Sequence, residues 1–301
     1  MSHGPDYSRA RMNDLMAPQP MSIARVTQDP AGENSVSMAW LAFLGLGAVA
    51  GVLAGLLGVG GGLVLVAALV WLLPLLGVPH EAAMHAALAS SLASIVLTAA
   101  ASARAHAKRG SVMWPTVRWM VPGLLIGGWV GSALAVRLPG DWLRWLVAGY
   151  CFLAAAQLLL GRRTPADGHT RPAPRGPGMS AAGVGIGAVS AVVGIGGGSM
   201  TVPLLVWRGV APVRAVGTSS ACGVAIGLAS AAGYALQAPV GALPAHAIGY
   251  VYLPAAIGVA IASVFAAPYG THLAHRLSGE ALKRVFAAFL ILVGSSLLFG
   301  G

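Results

Sequence analysis

The sequence predicts an all-α polytopic membrane protein made of two inverted repeats of five helical segments each, with glycine-broken helices at a central site. Three observations carry that expectation. Apolar residues make up 57% of the 301 and charged residues 9%, against the roughly 25% charge that typifies a soluble domain. Mean hydropathy is +0.78. A block of glycine-rich sequence occurs twice, 136 residues apart.

No Asp, Glu, Lys or Arg occurs in 34–80, 82–103, 119–136, 145–161, 176–207, 215–275 or 285–301. A helical crossing takes about 20 mainly apolar residues, so the tract 215–275 holds at least two. The apolar runs are continuous and do not switch every second residue, which argues against a β-barrel. Glycine at 42 of 301 is about twice its ordinary share and points to closely packed or broken transmembrane helices.

The elements follow in order. Residues 1–36 form a polar arm, expected to be disordered and lacking the apolar core of a secretory signal. The first transmembrane repeat, 37–160, has apolar segments at 37–58, 63–77, 83–105, 118–136 and 142–160. Residues 161–178, GRRTPADGHTRPAPRGPG, have linker composition. The second repeat, 179–301, has segments at 180–194, 199–211, 214–237, 245–269 and 280–299. Segment 199–211 gives only ~20 Å of helix; it and 63–77 either cross fully or are re-entrant.

The duplication rests on identities. Residues 51–71 read GVLAGLLGVGGGLVLVAALVW and 187–207 read GAVSAVVGIGGGSMTVPLLVW. They share Gly51/Gly187, Gly58/Gly194, two glycine triplets and Trp71/Trp207. Downstream, Ala89-Ser90-Ser91 matches Thr218-Ser219-Ser220, and Leu138-Pro139-Gly140-Asp141 echoes Leu277-Ser278-Gly279-Glu280. If each glycine-broken pair dips and returns, or crosses twice, each repeat makes an odd number of crossings and tandem copies are inverted. Lys and Arg in 104–118, 162–175, 208–214 and 276–284 then number 13 on one side, against 5 on the other. One net crossing per pair gives 11 against 7 at best. The positive-inside rule therefore favours inverted repeats, a cytoplasmic linker and both termini periplasmic.

Three consecutive glycines unwind a helix, at ~1 kcal/mol each relative to alanine, and free backbone N–H groups. In lipid such groups need a protein-lined cavity or a ligand. A helix restarting after them aims its positive end at an anion. Gly60, Gly61, Gly62, Gly196, Gly197 and Gly198 are therefore candidate substrate-binding residues; the alternative is a glycine zipper for close packing. Ser90, Ser91, Thr218, Ser219 and Ser220 are the second constellation, hydroxyls able to hold an oxyanion without fixed charge. The alternative for each is a bond to its own helix backbone.

None of the eight acidic residues falls at the centre of a span, so the usual mark of proton or cation coupling is missing. His85 and His106 flank the third segment and suit a helix-end role more than a proton relay. Cys151 and Cys222 lie in apolar tracts and read as packed thiols. The basic residues are scattered among loops, which excludes nucleic acid as a partner. No Gly-x-Ser-x-Gly elbow, HExxH motif or membrane aspartate pair occurs, so nothing marks an enzyme. No metal or organic cofactor is implied, and a homo-oligomer is compatible with the sequence.

The duplicated G-x-x-x-[GA]-x-x-G-[VI]-G-G-G signature at 51–62 and 187–198, with the small-Ser-Ser element and the L-[PS]-G-[DE] turn, resembles the TauE/SafE family of sulfite exporters and related anion permeases. The likeness runs over about 40–299. It implies movement of a small sulfur-containing anion (sulfite, sulfoacetate or another organosulfonate) across the inner membrane. One departure is Pro203, which has Ala67 as its counterpart, so the first break is expected to be less sharp. The expected function is export of such an anion; the alternatives are an importer or channel for another small anion, or a non-transporting membrane scaffold.

Overall fold

The computed structural model describes residues 30–57, 61–160, 173–243, 245–274 and 279–299. It divides into two compact units, Met1–Met38 and Ala39–Gly301; the architecture below is that of the second. The arm up to residue 29 and linker residues 161–172 lie outside the described residues. The arm's last part, from Pro30, is already helical, with proline opening the helix where its missing N–H costs nothing.

Ten helices and one small hairpin are present among the described residues. They are α1 Pro30–Leu57, α2 Gly62–Leu75, α3 His80–Lys108, α4 Trp114–Arg137, α5 Gly140–Leu160, α6 Pro177–Val193, α7 Gly198–Trp207, α8 Pro212–Leu236, β1 Ala247–Ile248, β2 Val251–Tyr252, α9 Leu253–Ala274 and α10 Gly279–Phe299. α3, α4, α5 and α8 are long and apolar enough to cross a membrane. The fourth segment of the second half, expected from residue 245, corrects to a start at Leu253. The intervening residues turn back through His246 and Gly249, at φ 70° and 57°, and pair Ala247 with Tyr252, so apolarity there belongs to a turn.

The ends of the elements can be assigned by contact. His85 Nε2 lies 3.1 Å from Ala135 O and 3.0 Å from Leu138 O, placing the start of α3 beside the end of α4. Thr116 Oγ1 donates to Pro174 O at 2.9 Å, placing the start of α4 beside the entry to α6. Arg208 Nη1 lies 3.8 Å from Met179 Sδ, so α7 ends where α6 begins. The pair α6–α7 thus enters and returns at one end. It is not one continuous span.

α3 and α8 run antiparallel through the middle and are the most enclosed of the long helices, 61% and 56% buried along their most apolar stretch against 28% for α5. Around them, α4 packs on α6 through glycines. A Cβ on Gly123 or Gly127 would overlap the carbonyl oxygen of Ser180 or Val184, and one on Gly131 would lie 2.5 Å from Ala188 O. Likewise α1 meets α9 through Gly47 and Gly51, each 2.6 Å from Val259 O or Ser263 O by the same measure. Such close approach suits a bilayer, where dispersion and backbone contact hold helices together. Outward faces carry Trp119, Trp129, Trp142, Trp145 and Trp207, several near helix ends, as expected for interfacial aromatics.

Candidate functional site

Both short helices start at a glycine held in the left-handed region: Gly61 (φ 65°, ψ −1°) before α2 and Gly197 (φ 72°, ψ −13°) before α7. L-residues avoid this region, so the turn that restarts each helix depends on glycine. Neither start has a side-chain cap; the Leu65, Met200 and Thr201 amides close on Gly61 O and Gly197 O, and the amides ahead of them have no partner within their own helix. α6 ends at Gly194, also left-handed at φ 77°. The first break has the same geometry at Gly61 as the second at Gly197, with or without the downstream proline.

The two breaks meet. A Cβ on Gly62 would lie 2.5 Å from Gly194 O and 3.1 Å from Ile195 Cα. Ser91 Oγ stands 3.2 Å from both Gly62 O and Gly194 O, so one hydroxyl from α3 bridges two carbonyls from different halves. Ile95 packs on Gly62 and Gly196, and Ile226 on Gly197. Gly62, Gly194, Gly196, Gly197 and Gly198 are buried, and Gly61 is half-buried. Gly60 lies outside the described residues.

Ser90, Thr218 and Ser220 have partners of their own. Ser90 Oγ accepts the Tyr252 N–H at 3.0 Å, and Thr218 Oγ1 accepts the Met113 N–H at 3.0 Å. Each thus joins the third helix of one half to the residue just before the fourth helix of the other. Sequence register aligns Ser91 with Ser220, whereas these bonds pair Ser90 with Thr218. The offset is one residue. Ser220 Oγ meets Ser102 Oγ at 2.9 Å and donates to Val216 O at 3.0 Å. Ser219 is buried on α8, and Ser94 donates to Ser91 O at 2.7 Å, the back-bonding alternative.

Sequence reasoning missed four residues here. Thr201, one turn into α7, is fully buried and its Oγ1 has no hydrogen-bond partner; Ser190, in the last turn of α6, is the same. Thr201 Oγ1 lies 3.6 Å from where a Cβ on Gly197 would stand. The Tyr150 phenol on α5 donates to Ser199 Oγ at 2.7 Å. A search for what the two halves share passes over these positions, because they are not shared; comparing the halves for differences would have found them.

A family model for the sulfite exporter TauE/SafE matches residues 43–297. The chain belongs to the TauE/SafE family. Membership covers both breaks and places the chain among multi-pass membrane transporters. It is 35% identical over 251 residues to a probable membrane transporter protein of Haemophilus influenzae, covering 82% of this chain and 94% of that one. A Xylella fastidiosa protein of the same description is 30% identical, over 83% and 91%. One from Methanocaldococcus jannaschii is 23% identical, over 84% and 93%. No solved structure matches the chain. Within this TauE/SafE protein the glycine breaks at Gly61 and Gly197 both lie inside the matched region.

Proposed function

We propose that this chain exports a small sulfur-containing anion, sulfite or an organosulfonate, across the inner membrane through two inverted halves. The observation that carries the reading is the meeting of two glycine breaks, the start of α2 at Gly62 packing on Gly194 at the end of α6, with Ser91 bridging the two, while α2 and α7 both restart without a side-chain cap. Helix N-termini attract anions through unpaired amides and the helix dipole. An anion leaving a negative interior gains ~2.3 kcal/mol per charge per 100 mV, so export needs no coupling carboxylate in mid-membrane. The reciprocal contacts of Ser90 and Thr218, and of α1 with α9 and α4 with α6, support inversion.

The test is transport by purified protein in proteoliposomes with sulfite, sulfate, thiosulfate and alkanesulfonates. Saturable flux of a sulfur oxyanion, driven by a potential that pulls anions outward, is expected. Flux confined to other anions would replace the reading with that of a general anion importer or channel, and no flux at all would leave a scaffold.

The basic loops around 104–118, 173–175 and 208–214 gather at the end where α6 enters and α7 leaves. With that basic end facing the cytoplasm, the proposal puts both termini on the periplasmic side. Cysteines placed after Ser2 and before Gly301 should react with an impermeant maleimide added to intact cells. Labelling only after lysis would overturn the inverted orientation.

A further inference from the structure

We propose that the site is polar at one pole only. The start of α7, with Thr201 and Ser199 as hydroxyl donors and Tyr150 positioning Ser199, holds the oxyanion head, while the start of α2 faces an uncharged body. The inference rests on the transporter reading above and adds an orientation to it.

In the 136-residue register, Ser199 corresponds to Leu63 and Thr201 to Leu65. Leu63 and Leu65 are buried, at 4% and 2% exposure. Aligning the two L-[PS]-G-[DE] turns, Leu138 on Leu277, sets Tyr150 on the helix that follows against Phe289, so a hydroxyl is missing there too. Three polar groups at one break are replaced by three apolar ones at the other. Two breaks built to clamp a symmetric dianion from both sides would not differ in this way.

The α7 start has two hydroxyls able to donate, Ser199 and Thr201. Tyr150 O–H donates to Ser199 Oγ, which leaves the Ser199 proton for another acceptor. A helical threonine commonly returns its hydroxyl to the carbonyl one turn back, yet Thr201 Oγ1 has no partner although it is fully buried. An unpaired buried hydroxyl is costly, and an anion at the α7 start would satisfy it. α7 buries only Gly198, Thr201 and Leu205, whereas α2 buries nine of its 14 residues. The polar start is on the less enclosed helix. An anion with one charged head and a non-ionic body fits this arrangement better than a compact dianion.

The experiment uses the full chain in proteoliposomes with ethanesulfonate and sulfate as probes. Wild-type protein should carry ethanesulfonate with a kcat/KM at least roughly tenfold above that for sulfate. Thr201→Val and Ser199→Ala should each raise KM for ethanesulfonate roughly tenfold or more, the worth of a hydrogen bond to a charged group. Thr201→Ser, which keeps the hydroxyl, should stay near wild type. Tyr150→Phe should give a smaller rise, and none once Ser199 is alanine. An unchanged KM in both Thr201→Val and Ser199→Ala overturns the polar pole, and equal handling of sulfate overturns the orientation, each leaving the transporter reading intact. If the wild-type protein carries neither of these nor any other sulfur oxyanion, the transporter reading itself fails and takes this inference with it.

Discussion

Gly127→Leu is expected to yield almost no folded protein, while Gly185→Leu, on the partner helix, behaves as wild type. A Cβ on Gly127 would overlap the backbone carbonyl of Val184, whereas one on Gly185 meets nothing within 4 Å. Overpacked cores usually cost about 1–3 kcal/mol, because side chains give way. At Gly127 the obstacle is the backbone of α6, and it can yield only if the whole helix moves. Gly123 and Gly131 meet the same helix one turn away on either side, so α6 cannot pivot around the intruding side chain. Size-exclusion profiles and melting temperatures of the two variants in detergent measure the difference. A Gly127→Leu protein as monodisperse and as heat-stable as Gly185→Leu would show that the α4–α6 contact does not hold the fold.

That pair of glycines shows where the sequence is legible and where it stops. Hydropathy alone places the helices, since lipid leaves the backbone few other options, and the observed bounds depart by a few residues at most ends. It fails at 245–252, where an apolar stretch is a turn forced by Gly249 and His246. Glycine abundance foretells both close packing and broken helices without assigning which glycine does which. The run Gly123, Gly127, Gly131 has the spacing of a packing face, while Gly61 and Gly197 are left-handed turns. Partners were beyond reach. Nothing in the local sequence says that Ser91 bridges Gly62 to Gly194, or that Tyr150 reaches Ser199 from a different half, because those contacts depend on how helices distant in the chain cross.

At the second break, Gly197→Ala is expected to remove most anion flux per inserted molecule while sparing insertion. The left-handed backbone at φ 72° costs an L-residue roughly 1–2 kcal/mol, which a protein of 301 residues can bear. The added methyl would collide with Cδ1 of Ile226, a fully buried side chain, and stand 3.6 Å from Thr201 Oγ1. Two causes of lost flux are thus entangled: displacement of Ile226, and occupation of the space at the α7 start. Ile226→Val separates them, since it deletes the one atom that collides, at an ordinary cost of about 0.5–1.5 kcal/mol. In the double variant Gly197→Ala/Ile226→Val, thermal stability should recover toward that of Ile226→Val alone, yet flux should stay low, because the methyl still stands where the substrate meets the first-turn amides. Recovery of flux together with stability would make Gly197 a packing residue and move the substrate site elsewhere. Flux must be normalised to inserted protein, since lower expression alone would otherwise mimic the effect.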